Sequence, residues 1–176
     1  MPVNEKWLRT EEEEETLEPN LKICDPHHHL WQHPDSTYLT KELLKDTKTG
    51  HNVTSTVFVE CMSEYHRDSA KALAPVGETE FIDRLATANT ESNTHTSIAK
   101  AIVGFADLLL GDSVEQVLDA HLEASPNRFK GIRHASGWDP SDRIRNSHTN
   151  PMRFLYLDKT FQKGFAKLLD YGFTFD

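Results

Sequence analysis

Asp25-Pro26-His27-His28-His29 directly follows the short apolar run Leu21-Lys22-Ile23-Cys24. On an extended backbone residues two apart point to the same face, so His27 and His29 share a side, with Asp25 two positions earlier. Two imidazoles placed in this way reach one divalent metal ion, Zn²⁺ or Mn²⁺, or one substrate. A metal held there would lower the pKa of bound water to about 7 and polarise a carbonyl. Hydrogen bonding to substrate or to core backbone, without a metal, is the other use of such a pair. His28 points the opposite way, where a histidine packs. Paired imidazoles at the end of a strand suggest hydrolytic or lyase chemistry.

The elements that would hold these residues alternate. Leu21 to Asp25 predicts a first strand, Val53 to Glu60 a second, Ala99 to Ala106 a third, Phe129 to His134 a fourth and Phe173 to Asp176 a fifth, on β-branched and apolar content. Helices are expected over Thr40 to Thr47, Glu78 to Asn89, Asp112 to Ala124 and Asp158 to Tyr171. In the third, Val114, Val117, Leu118, His121 and Leu122 form one apolar face, with Asp112 and Glu115 as a capping box. In the fourth, Phe161, Phe165, Leu168 and Leu169 face inward, and Gly172 closes the helix. Strands alternating with helices predict an α/β fold with a parallel sheet. No G-x-G-x-x-G follows the first strand and no P-loop occurs, which argues against a dinucleotide- or nucleotide-binding version. A (β/α) barrel or an open doubly wound sheet remains.

Each strand closes on ionisable residues: Asp25, His27 and His29; Glu60; Asp107; Arg133 and His134; Asp176. In a (β/α)8 barrel those ends meet around one mouth, which holds the active site. Arg133 is a permanently charged fork suited to a substrate carboxylate, or to an ion pair with a strand-end acid. Glu60 would accept substrate hydroxyls or pair with that arginine. His134 and Trp138 would line the pocket, unless Trp138 pins a loop. His33, His51, His66, His95 and His148 share no spacing and read as surface or packing residues, and His121 as a satisfied core histidine. Ser136 lacks a nucleophile-elbow context.

The chain has 176 residues, a net charge of −9 and 37% hydrophobic residues, with a mean hydropathy of −0.60. Residues 1–20 carry seven acids against two bases and read as an acidic, solvated tail. No basic stripe exists to neutralise phosphates, so nucleic acid is not an expected partner. Two cysteines, Cys24 and Cys61, make neither a zinc knuckle nor a disulfide framework and fit a reducing compartment. No apolar run spans a membrane and no secretory h-region opens the chain, so a cytoplasmic protein is expected.

DPHHHLW (Asp25 to Trp31), FVECMSEY (Phe58 to Tyr65), VGETEFI (Val76 to Ile82), VGFADL (Val103 to Leu108) and FKGIRHASGWDP (Phe129 to Pro140), in this order, resemble the amidohydrolase superfamily. The likeness is to its amidohydrolase-related (type 2) branch, which holds 2-pyrone-4,6-dicarboxylate lactonase and L-fucono-lactonase-like barrel hydrolases. It covers residues 21–176 and implies a distorted (β/α)8 TIM barrel, of which this sequence supplies the first five or so β/α units. His27 and His29 would correspond to the first-strand histidines that bind metal in many members, and Arg133 would fall near a substrate-carboxylate contact. The remaining histidines and an acid–base aspartate would lie in the second half of the barrel, beyond Asp176. The expectation is therefore a fragment of a hydrolase that opens a lactone or related ester-like carbonyl of a small organic acid. Its alternatives are a metal-dependent decarboxylase and a catalytically inactive fragment.

Overall fold

A computed structural model describes residues 15–176 apart from Asp142 and Arg145. Most of the acidic stretch assigned to a tail therefore lies outside the described residues. Among the described residues seven strands form: β1 (Lys22–His28), β2 (Trp31–His33), β3 (Ser36–Tyr38), β4 (Asn52–Val59), β5 (Ser97–Gly104), β6 (Phe129–Ile132) and β7 (Thr174–Phe175). The α-helices described between them are α1 (Thr40–Asp46), α2 (Val76–Glu91), α3 (Glu115–Ala124) and α4 (Lys159–Tyr171), with 3-10 turns at Leu108–Val114 and Leu155–Leu157.

The main sheet is parallel throughout, in the order β1-β4-β5-β6-β7. It is curled and flanked by helices. Each strand lies beside its predecessor in the chain, apart from the small antiparallel β2-β3 pair that the sequence reading did not foresee. That hairpin turns at Pro34-Asp35, and Trp31 stacks on Tyr38 with ring centres 5.1 Å apart. The core fills the space between sheet and helices with Phe58, Ile82, Ile98, Ile102, Leu118 and Phe129. Two buried histidines belong to it. His28 bonds Thr56 Oγ1 at 2.8 Å. His121 bonds Thr79 Oγ1 at 2.9 Å and the Phe105 carbonyl at 3.0 Å.

Two helix expectations need correction. Asp112 does not cap α3: the helical path starts earlier, with the Asp107 side chain accepting the Leu109 N–H at 3.0 Å. Leu108 is fully buried, which draws the chain into a turn before Asp112, and Gly111 with φ 57° then kinks it. In α4, Phe161 and Leu168 are buried, but Phe165 and Leu169 are 44% and 84% exposed rather than inward. The helix lies on the Leu108–Val114 turn along one stripe; on the other, Phe165 meets the edge of Phe175 in β7, ring centres 5.1 Å apart, and Leu169 stays open.

Gly164 sets that contact. A Cβ there would collide with the Leu108 backbone carbonyl and Cα. Backbone cannot swing aside as a flexible side chain can. Gly164→Ala is therefore expected to destabilise the fold by about 1–3 kcal/mol despite its better helix propensity. Thermal unfolding monitored by circular dichroism measures this, and an unchanged midpoint would mean that α4 slides freely.

Candidate functional site

β1 pairs with β4 on one side only, and its register slips between Asp25 and His28. Pro26 has no N–H to give to a ladder, so an irregularity at an edge strand is where it is tolerated. The Asp25 carboxylate takes the His27 N–H at 3.1 Å across this bend. The outcome is that His27 and His29 face each other, ring centres 4.9 Å apart, with their Nε2 atoms 3.3 Å apart. His29 Nδ1 lies 2.7 Å from the Val59 carbonyl. A carbonyl only accepts, so Nδ1 carries the hydrogen, and Nε2 of neutral His29 presents its lone pair toward His27. Burial holds the His29 pKa below the ordinary imidazole value, and the nearby Arg133 charge pushes the same way. His28 turns into the core, as its opposite phase requires.

Glu60 follows β4 and is 1% exposed. A buried carboxylate needs a cation and hydrogen bonds. Arg133, at the end of β6, supplies both: Nε donates to Oε1 at 2.9 Å, Nη2 lies 2.9 Å from the same oxygen, and Nη2 also donates to the Glu60 carbonyl. Of the two uses the sequence left open for Arg133, the ion pair is the one present. Among the described residues Nη1 is the part of the fork left to meet anything else. Glu60 Oε2 takes the Tyr65 hydroxyl at 3.4 Å and has His148 Nε2 at 3.8 Å.

His134 is 3% exposed between Phe105 and Phe161. Its Nδ1 accepts the Leu108 N–H at 3.2 Å, which puts the hydrogen of the neutral ring on Nε2. Burial lowers its pKa, with Asp107 opposing. His134 lines a cleft of about 710 Å³ with Tyr65, Phe105, Asp107, His148 and Met152. The cleft opens at the C-terminal ends of β4, β5 and β6, where an α/β sheet places its ligands. His27, His29 and Arg133 are not part of its wall; Glu60 and Tyr65 connect the two regions. Trp138 stacks under Arg153, guanidinium 5.4 Å from the ring centre, and pins a loop instead of lining the cleft.

Sequence reading missed Tyr65 and His148 as partners of Glu60. Tyr65 lies five residues past Glu60, and its place was open to inference. His148 belongs to a turn in which the Asn150 N–H bonds the Ser147 carbonyl at 2.9 Å, and nothing in the local spacing ties it to a strand end. Cys61 offers no thiolate, because burial, with Glu78 nearby, pushes its pKa up to about 12.

Compared with protein-family models, curated proteins and solved structures, the chain matches none. Among the described residues no three His, Cys, Asp or Glu side chains converge as a metal-binding group. No helix among them is long and apolar enough to cross a membrane.

Proposed function

We propose that this chain carries the first-strand half of a hydrolytic site of the amidohydrolase-related type, acting on a lactone or similar carbonyl of a small organic acid. The observation that carries the reading is the 3.3 Å separation of His27 Nε2 and His29 Nε2. Two nitrogens each about 2.0–2.1 Å from a tetrahedral zinc ion stand about 3.3–3.4 Å apart. Val59 supplies the outer hydrogen bond that metal-ligating histidines use to fix their tautomer. His27 and His29 therefore fit as two ligands of a divalent ion, Zn²⁺ or Mn²⁺, with further ligands coming from outside the described residues. Such an ion, when bound, polarises a carbonyl and acidifies water.

The chain's own residues do the rest. His29 stays neutral and keeps its lone pair outward. The Glu60–Arg133 pair braces the ends of β4 and β6 against each other. Nη1 of Arg133 and His134 Nε2–H are donors for a substrate's oxygens at the mouth. The sequential five-stranded parallel sheet, with open edges at β1 and β7, supports completion as a (β/α)8 barrel. The partner is then a small-molecule carboxylate or lactone, with nucleic acid and membrane as non-partners.

Calorimetric titration with Zn²⁺ and Mn²⁺ tests this, alongside turnover of a panel of five- and six-membered lactones. The wild type should bind one ion, and His27→Ala and His29→Ala should each weaken binding at least about tenfold. Release of CO₂ from carboxylated substrates would move the reading to a decarboxylase. No ion bound, no turnover and no effect of either alanine would end it.

A further inference from the structure

The loop between β4 and α2 takes a shape its residues do not favour. Met62 and Glu64 have φ of 65° and 54°, and neither is glycine. Left-handed backbone at such residues persists only where the surroundings impose it. Ser63 between them is 1% exposed.

Two features of the first turn of α2 impose it. Glu78, 1% exposed, turns one carboxyl oxygen on the loop, and Oε1 accepts the Cys61 N–H at 3.0 Å and the Ser63 N–H at 2.7 Å. Gly77 allows the close approach: a Cβ there would fall 2.6 Å from the Glu64 carbonyl oxygen and 2.9 Å from the His66 nitrogen. The loop so held delivers Tyr65 to Glu60 Oε2 and sets Met62 and Tyr65 on the wall of the cleft. Glu78 itself does not line that cleft.

We propose that Glu78 is the positioning residue of the cleft, its carboxyl clamping the Cys61 and Ser63 amides so that Tyr65 is held against Glu60. The chemistry of the clamp suits a buried place. Burial pushes the Glu78 pKa up to about 8, although the two amide bonds pull it down. At neutral pH the group is therefore mostly protonated. The proton belongs on Oε2, since Oε1 takes both amides, and Oε2 has no hydrogen-bond partner among the described residues. A neutral carboxyl holds the loop without an unpaired charge in the interior. The inference rests on the proposed function only for what the cleft is for; the clamp is read without substrate.

Amide hydrogen exchange of the full chain, resolved by NMR, tests it. Glu78→Leu removes the acceptor at similar size, and Glu78→Gln keeps one oxygen in place. With leucine, the Cys61 and Ser63 amides should exchange at least about tenfold faster, while Ile102 and Val103 in β5 stay within about twofold. Glutamine should return Cys61 and Ser63 to near wild-type rates. Glu78→Asp, one methylene shorter, should give the leucine pattern at smaller size and decides the matter if the leucine chain does not fold. Unchanged exchange at Cys61 and Ser63, or an equal rise at all four amides, would make Glu78 an ordinary core residue and overturn the proposal. Because no substrate enters the measurement, absent lactone turnover would sink the functional reading and leave the clamp standing.

Discussion

Arg133→Ala should lower the free energy of unfolding by about 3–5 kcal/mol, the range for stripping one partner from a buried ion pair. The reason lies in the unequal exposure of the two groups. The Arg133 side chain is 22% exposed and the Glu60 side chain 1%. Alanine at 133 leaves Glu60 with a Tyr65 hydroxyl at 3.4 Å and a histidine at 3.8 Å, neither of which replaces a guanidinium held by two of its nitrogens. Glu60→Gln should cost less, because Arg133 keeps an acceptor and partial access to water. Replacing both partners, Glu60→Leu with Arg133→Met, should recover most of the loss, since an apolar pair of similar volume removes the desolvation cost. Urea denaturation of the four chains measures the series. A single-mutant loss under about 1 kcal/mol would show that the pair is solvated and that the strand ends are not braced by it.

This pair also marks how far the sequence could be read. The five parallel strands were legible because Val53–Val59 and its counterparts are dense in β-branched and apolar residues, and their boundaries moved by only a few residues in the structure. The phase of His27 and His29 was legible because alternation along a strand is local geometry. Glu60 and Arg133 are 73 residues apart, and no periodicity relates them. Their partnership follows from the sheet order, in which β5 alone separates β4 from β6. His148 reaches Glu60 from a loop with no register to constrain it. Phe165 and Leu169 fell on the apolar side of a helical wheel, yet a wheel shows which residues share a stripe and not whether anything packs on it. Asp112 and Glu115 matched a cap spacing, but burying Leu108 took precedence over local propensity.

The second large effect is on stability against pH. Burial holds His28 and His121 at about 4, well under the ordinary 6.5. His28 has one ring nitrogen on Thr56 and the other without a partner among the described residues. His121 already uses both nitrogens: Nε2–H donates to the Phe105 carbonyl, so Nδ1 accepts from the Thr79 hydroxyl, and a second ring hydrogen would point at the group that now donates to it. Between pH 6.5 and 4 the unfolded chain takes up a proton at each that the folded chain refuses. Stability should therefore fall as the pH drops through that window, by roughly 3 kcal/mol per histidine at its lower end. Glu78 acts in the opposite sense. Its folded pKa of about 8 lies above the ordinary 4.5, so the unfolded chain gives up the proton first. Stability should fall as the pH rises from about 4.5 to 8 on its account. His29 and His134, also lowered by burial, add to the side of His28 and His121; together they outweigh one carboxyl in acid and fade above the ordinary histidine range, which places the maximum at about pH 6.5–7. Thermal unfolding from pH 4 to 9 should trace this dome. His28→Gln with His121→Gln should flatten its acid limb, and Glu78→Gln should flatten its alkaline limb, each leaving the other in place. An acid limb of undiminished slope in the double glutamine chain would transfer it to His29, His134 and the carboxylates and leave His28 and His121 as packing residues without a proton to refuse.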